Sequence, residues 1–339
     1  MAIDTLERIQ ISLDEKRQNL TDFLQTASED EKDTCLCDDE HCIEEHLHVI
    51  ETSLVEIQNS TLGVCEICRG YVEPSRLEMD YTAHVCLDHY SDEERRRLES
   101  ELELSQIVQR ALLPQRIPDI KGVELAAFSR PSEIIGGDYF DFFNYRDGAH
   151  GLVIADVSGH GVAAGMLMSS LQTALRTMAP DTEVPAEILE RINRFYIHNI
   201  NFTTFITVFL ARFDPETRIL TYINAGHNPP VVYRKETGET HWLTRTAPAI
   251  GLAEDFRPKT ESITLEPGDS LLLYTDGLTE AFNLKQEQFG HERLADLFVR
   301  NVNLTMPDIL QVVRETVNEF SDRVPLADDA TLIALKISN

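Results

Sequence analysis

The stretch GGDYFDFFNYRDGAHGLVIADVSGHG, residues 136–161, decides how the larger part of this chain folds. YFDFFNY and GLVIA are rich in aromatic and β-branched residues, and RDGAH between them supplies turn residues, so the stretch predicts a β-hairpin. A hairpin returns the end of its second strand to the start of its first. Asp138 and Asp156 therefore meet at one rim. Two carboxylates about 4 Å apart repel by about 4 kcal/mol at an effective dielectric of about 20. Something positive is expected between them.

The pattern recurs toward the other end. SLLLYTDG reads as a buried-type strand ending on Asp276 and Gly277, and ADDATLIALKI starts from Asp328 and Asp329 and runs into another strand. If those strands are antiparallel neighbours, Asp276 and Asp328 share a second rim, and two pairs of acids can face one another across a cleft. Oxygen-only ligands suit hard cations such as Mg²⁺ or Mn²⁺ rather than zinc. Two such ions about 3.5–4 Å apart can clamp a phosphoryl group. Asp and Gly are also ordinary turn residues. Any one of these aspartates fits that plainer reading; four at strand ends, with GGD and DVSGHG intact, favour the site.

These residues also carry a resemblance. Residues 105–339 resemble a SpoIIE-type phosphatase, a branch of the metal-dependent serine/threonine protein phosphatases. The matching segments are ALLPQRIPDIKGVELAAFSRPSEIIGGDYFDFF, VIADVSGHGVAAGMLMSSL, TTFITVFLARFD, NAGHNPPVVY, LLLYTDGLTEAFN, FGHERL and DDATLIALKI, in the family's order. The resemblance implies an α+β domain, a four-layer αββα sandwich with two Mn²⁺ or Mg²⁺ ions between its antiparallel sheets. It implies that Asp156 bridges both ions and that the backbone carbonyl of Val157 binds one. Asp276 and Asp328 would hold the second ion, and Asp138 would bind directly or through water. Asp329 competes with Asp328 for its role, because adjacent acids are not ranked by sequence. Ser132 and Ile135 replace smaller residues of the family and leave every acid in place. The implied reaction is hydrolysis of phosphoserine or phosphothreonine on a regulatory protein. Its implied substrate is a STAS-domain protein of the anti-anti-sigma type in a bacterial partner-switching circuit. His160 fits a turn residue as well as a proton donor, and His227 is expected to order its loop; neither is counted as catalytic.

All six cysteines fall between residues 35 and 86. CEICRGYVEPSRLEMDYTAHVCLDH gives Cys65-x2-Cys68, then Cys86-x2-His89, a spacing suited to a tetrahedral zinc. His84 is an alternative fourth ligand. Zinc would act here on folding, since apparent binding free energies of about 10–16 kcal/mol can hold a segment too small for its own core. GVCEIC, SRLEM and HVCLDH, with a helical hairpin before and a helix after, are similar to the DksA/TraR zinc-finger family over about residues 1–95. His89 replaces that family's usual last cysteine, and Arg69 stands where glycine is common. Some members place an acidic hairpin tip inside a channel of RNA polymerase, which makes polymerase a candidate partner. The tip here holds Cys35, Cys37 and Cys42 with His41, His46 and His48. Their irregular spacing fits a metal or redox sensor and plain exposed helix residues alike.

The chain thus divides into a helical hairpin (1–61), a zinc finger (62–90), a linker helix (91–113) and a phosphatase domain (114–339). Ser91 with Glu94 forms a capping box opening the linker helix. Its apolar residues Leu98, Leu102, Ile107, Val108 and Leu112 either dock on the phosphatase domain or pair two copies as a coiled-coil homodimer. Net charge is −28 and pI about 4.7, against a broad nucleic-acid footprint or attraction to anionic lipid. The N-terminus has acids where a signal peptide needs bases, and no apolar run is long enough to span a bilayer, so a cytoplasmic protein is expected. Two functions follow: a phosphatase regulated by its zinc-bearing module, or a non-catalytic interaction protein acting on transcription through the hairpin.

Overall fold

The computed structural model describes residues 40–79, 81–132, 134–159, 161–199, 205–324, 326 and 328–338, with eight scattered residues between 6 and 21. It falls into two compact units, one of residues 1–100 and one of residues 101–200 and 204–339. No helix among the described residues is long and apolar enough to cross a membrane.

In the first unit lie helices α1 (Glu40–Gln58) and α2 (Pro74–Met79). Ile50 and Leu54 of α1, one turn apart, pack with Ile9 and Leu13, which are likewise one turn apart and helical. Leu62, Val72, Leu77 and two cysteines, Cys65 and Cys86, complete a small buried cluster. The cysteine-rich tip at residues 22–39 lies outside the described residues, as do the side chains of His41, Cys42 and His46.

Helix α3 (Asp92–Leu112) opens on the expected capping box. The Ser91 N–H donates to Glu94 Oε2 at 2.9 Å and the Glu94 N–H to Ser91 Oγ at 3.2 Å, satisfying two helix-end donors reciprocally. The Ser91 hydroxyl and N–H hold the Glu94 carboxyl below its usual range.

The second unit contains strands β1 (Val123–Arg130), β2 (Tyr139–Asn144) and β3 (His150–Val157), then helices α4 (Gly161–Met178) and α5 (Pro185–Asn199). Strands β4 (Ile206–Asp214), β5 (Ile219–Ala225), β6 (Val231–Tyr233), β7 (Thr240–Trp242), β8 (Glu261–Thr264) and β9 (Ser270–Tyr274) follow. Helices α6 (Asp276–Thr279), α7 (His291–Asn301) and α8 (Met306–Phe320) precede the last strand, β10 (Ala330–Ile337). Two five-stranded antiparallel sheets result, in the orders β1-β10-β9-β6-β7 and β2-β3-β4-β5-β8.

Alternation along the strands sorts the apolar residues into layers. Leu271 and Leu273 of β9 join Ile333 and Leu335 of β10 in one cluster with Phe140, Ile154 and Phe209 of the other sheet. Leu272 and Leu332 point the opposite way, onto Leu294 and Phe298 of α7 and Ile309 and Val313 of α8. On the far side of the other sheet, Val153, Ala155 and Val208 meet Met168 and Leu171 of α4 and Ile188 of α5. Strands covered on both faces read as continuous apolar runs, which is why SLLLY lacks polar alternation. Each such buried side chain contributes about 1.5–3 kcal/mol.

One half-buried ion pair ties a helix to the site-bearing hairpin. Asp141 of β2, fully buried, accepts from Arg176 Nε at 2.6 Å, from its terminal nitrogen at 2.5 Å, and from Tyr139 Oη at 2.8 Å. That fixes the last turn of α4 on the strand that starts beside Asp138. Helices α4, α5 and α8, of 18, 15 and 15 residues, are long enough for a helical apolar period to show in the sequence. Helix α7 was not anticipated; its eleven residues are too few for periodicity to stand out from the neighbouring turns.

Candidate active site

The hairpin register sets the first pair of acids. Tyr139 pairs with Ala155, so one step further along the same register places Asp138 opposite Asp156. Leu332 pairs with Tyr274 between β10 and β9, which puts Asp276 and the Asp328–Asp329 pair at the rim of the other sheet. The two rims are tied together. Thr275, fully buried, donates from Oγ1 to Asp138 Oδ2 at 2.8 Å, and the Thr331 N–H donates to Thr275 Oγ1 at 2.9 Å. A hydroxyl on one sheet thus orients a carboxylate on the other.

Asp328 and Asp329 have different surroundings. Asp329 is buried and its carboxylate is occupied. It accepts from the Ser132 N–H at 2.7 Å, Ser132 Oγ at 3.0 Å, the Gly137 N–H at 2.6 Å and the Asp138 N–H at 3.3 Å. It is the anchor of the loop that presents Asp138. Asp328 is exposed, accepts the Asp329 N–H at 2.8 Å, and acts electrostatically on Asp156 and Asp276. The approach is close enough to require glycines. A Cβ on Gly136 would stand 2.5 Å from Asp329 Oδ2, and one on Gly137 would stand 3.0 Å from the Val157 carbonyl oxygen.

Crowding shows in the proton affinities. Burial, then the charges of Asp156 and Asp329, raise the Asp138 carboxyl well above the usual carboxylate range, while the Thr331 and Thr275 hydroxyls partly counter them. Burial, then Asp276, Asp328, Asp329 and Glu280, push Asp156 up to about 8. Burial, then Asp328 and Glu280, push Asp276 up to about 6. The acids named from sequence are therefore brought together and repel one another. A set of carboxylates and backbone carbonyls that disfavours its own charge fits hard divalent cations.

Sequence reasoning missed three participants. Glu280, four residues after Asp276 and at the end of α6, carries the helical i,i+4 signal that could have found it. Thr275 is masked by the apolar run before it. Gln109 of α3 is buried, with its Nε2 donating to the Gly136 carbonyl at 2.6 Å and its Oε1 accepting the Gly136 N–H at 3.1 Å. The apolar stripe anticipated on this helix is largely exposed at Leu98, Ile107, Val108 and Leu112, and its one buried residue is this glutamine. His227 is buried, as its loop-ordering role requires. Its Nδ1 lies 2.9 Å from Thr207 Oγ1, its N–H donates to Asn224 Oδ1 at 2.8 Å, and burial pushes its pKa down to about 3. His160 lies outside the described residues.

In the first unit, one ligand atom from each of Cys65, Cys68, Cys86 and His89 falls within 4.8 Å of the others. Among the described residues this is the one set of three or more such side chains that closes so tightly; His84 is not in it. The Cys86 N–H donates to Cys65 Sγ at 3.4 Å and the Gly70 N–H to Cys68 Sγ at 3.4 Å. Burial opposes ionisation of Cys65, but the N–H groups of Cys68, Cys86 and Ile67 outweigh it and bring the thiol to about 6. Burial and hydrogen bonds with Cys65 and Cys68 push Cys86 up to about 11. Arg69 has φ 60°, a left-handed backbone that glycine adopts more readily.

A family model described as Stage II sporulation protein E (SpoIIE) matches residues 146–338. Phosphoserine phosphatase RsbU of Bacillus subtilis (strain 168) is 29% identical over 261 residues, covering 76% of this chain and 75% of that protein. The SiaA-PP2C domain of Pseudomonas aeruginosa has the same fold, with TM-score 0.62 and 22% identity over 71% of this chain and 98% of that one. The RsbU and RsbW domains of Rv1364c from Mycobacterium tuberculosis match with TM-score 0.57 and 28% identity, over 67% of this chain and 63% of that one.

Proposed function

The chain belongs to the SpoIIE family of PP2C-type serine phosphatases, and from that membership we propose that it hydrolyses phosphoserine on a partner-switching protein, using two Mn²⁺ or Mg²⁺ ions. The observation that carries this reading is the mutual crowding of Asp138, Asp156 and Asp276 at the rims of two sheets. When bound, such a pair of cations acidifies a water and offsets charge on the phosphoryl group. The chain's own residues do the rest. Asp156, the Val157 carbonyl, Asp276 and Asp328 are the holding groups, with Asp138 as a further direct or water-mediated one. Thr275 keeps the Asp138 carboxylate turned inward. Asp329, through its bonds to Ser132, Gly137 and Asp138, keeps the loop in place and is an anchor rather than a ligand. The likeness to a phosphoserine phosphatase supports phosphoserine as the group removed; a STAS-domain protein of the anti-anti-sigma type is the substrate that the SpoIIE-type resemblance implies.

Cys65, Cys68, Cys86 and His89 are proposed to hold a structural zinc, in a finger of the DksA/TraR kind that follows a helical hairpin. Control by this module would act through α3, because Gln109 grips both backbone polar groups of Gly136, two residues before Asp138. The reading in which the chain acts on transcription rests on the hairpin tip, outside the described residues, and no observation favours it.

Manganese-dependent hydrolysis of p-nitrophenyl phosphate by the purified protein tests the enzyme reading. Activity should depend on Mn²⁺ and vanish in Asp156→Asn. Equal turnover by wild type and variant in manganese-replete buffer would overturn it.

A further inference from the structure

Three arginines of the second unit gather around Phe128 and its cavity, with no anionic partner among the described residues. The Arg314 guanidinium of α8 lies over the ring of Phe128, 3.7 Å from its centroid. Phe128 also lines a cavity of about 360 Å³ together with Arg130, at the end of β1, and Arg110, in the last turn of α3. All three arginines are exposed, and among the described residues no hydrogen bond or ion pair engages their guanidinium groups. Elsewhere in this unit Arg146, Arg176, Arg212, Arg218 and Arg234 each meet a carboxylate. With 58 acidic residues against 30 basic ones, unpaired arginines in a group need a reason.

Three nearby acids already hold hydrogen-bond donors. Glu315, next to Arg314, accepts from Gln311 at 2.8 Å. Asp138 and Asp329 line the same cavity, where Asp138 accepts from Thr275 and Asp329 from the loop N–H groups. The cavity therefore runs from Asp138 and its anchor Asp329 to Arg110 and Arg130, between walls that include Leu113, Pro131 and Ile134, and Arg314 adjoins it through Phe128. A phosphoprotein approaching a chain of net charge −28 meets long-range repulsion, and a local cationic patch beside the site offsets it. Guanidinium groups suit carboxylates because their forked donors bind both oxygens.

We infer that Arg110, Arg130 and Arg314 form the docking surface for an acidic stretch of the substrate protein next to its phosphoserine. This inference rests on the phosphoserine phosphatase reading. It predicts that the enzyme selects substrates by flanking negative charge, through KM rather than kcat.

Two synthetic phosphoserine peptides, one flanked by glutamates and one by alanines, test it alongside p-nitrophenyl phosphate. At about 50 mM salt the wild type should favour the glutamate peptide by about tenfold in kcat/KM, shrinking at about 300 mM as screening sets in. Combined Arg110→Gln, Arg130→Gln and Arg314→Gln should abolish the preference and leave the alanine peptide and p-nitrophenyl phosphate unaffected. If the triple variant melts lower, Arg130→Gln alone should still lose part of the preference. Intact preference in the variants, no preference in the wild type, or equal losses on all three substrates overturns the inference. A wild type inactive on every substrate defeats the phosphatase reading instead. Anisotropy of a labelled glutamate peptide then decides the docking surface: arginine-dependent binding supports it and its absence overturns it.

Discussion

Cys65, Cys68, Cys86 and His89 come from one short segment and converge within 4.8 Å. The acids of the second unit come from residues 138 to 328 and converge only because two sheets, three apolar layers and a Thr275–Asp138 bond bring their rims together. In the first unit two of the four converging residues, Cys65 and Cys86, are themselves part of the small buried cluster. In the second, large clusters are complete without the acids. The lesson concerns what a metal would do in each place. A metal at the cysteine site would contribute to its fold, whereas the acidic site is held by a fold that forms in spite of its crowding.

The widest separation between the two should come from Asp276→Asn. Phosphatase activity should fall by at least about a thousandfold, since a cation ligand is lost. The metal-free variant should melt no lower than wild type, because one member of a repelling set is gone. A clear drop in melting temperature would break the contrast. Cys65→Ser or Cys86→Ser should do the opposite. Zinc content should fall from about one per chain to none and residues 62–90 should become open to protease. Hydrolysis of p-nitrophenyl phosphate should stay within about twofold of wild type, because the catalytic acids lie in the other unit. Zinc-free wild-type protein, freshly purified and reduced, would remove this half of the comparison.

A smaller effect sharpens the ligand assignment. Asp328→Asn should weaken Mn²⁺ binding strongly. Asp329→Asn, which disturbs the supports of a ligand, should cost about 10–100-fold in activity or metal affinity. Titration of activity with Mn²⁺ separates the two, and the reverse order would exchange their roles.

The smallest effect is in pH dependence. Free carboxylates titrate at about 4, whereas Asp156 is pushed up to about 8 and Asp276 to about 6. Between these limits the folded, metal-free protein binds more protons than the unfolded chain. Its stability therefore falls as pH rises through that window. Melting temperatures of chelator-treated protein should decline from pH 5 toward pH 8, about the span of those values. Asp156→Asn should flatten the decline, and a rise with pH in the wild type would contradict the crowding.

The hairpin of residues 139–157 was legible because alternation and turn residues are local signals, and Asp138 and Asp156 follow from its register. Strands β9 and β10 were legible as apolar runs with acids at their ends, while their pairing, which joins Tyr274 to Leu332, was a supposition; the cysteine spacing needs only a short loop to close. The capping box at Ser91 and Glu94 likewise lies within one helical turn. The division of labour between Asp328 and Asp329 was not legible. Adjacent residues differ only in what faces them, and the N–H groups that claim Asp329 come from Ser132 and Gly137, almost two hundred positions away. Gln109 and Arg130 were hidden for the same reason. A glutamine in a helix looks like a solvated residue until Gly136 packs beside it, and an arginine at a strand end until the fold sets it on one cavity with Asp138. Local sequence determined which strands and turns form and which acids end them. Tertiary packing decided which acids crowd one another, which are anchors and where positive charge collects, because those properties belong to neighbours distant in the chain.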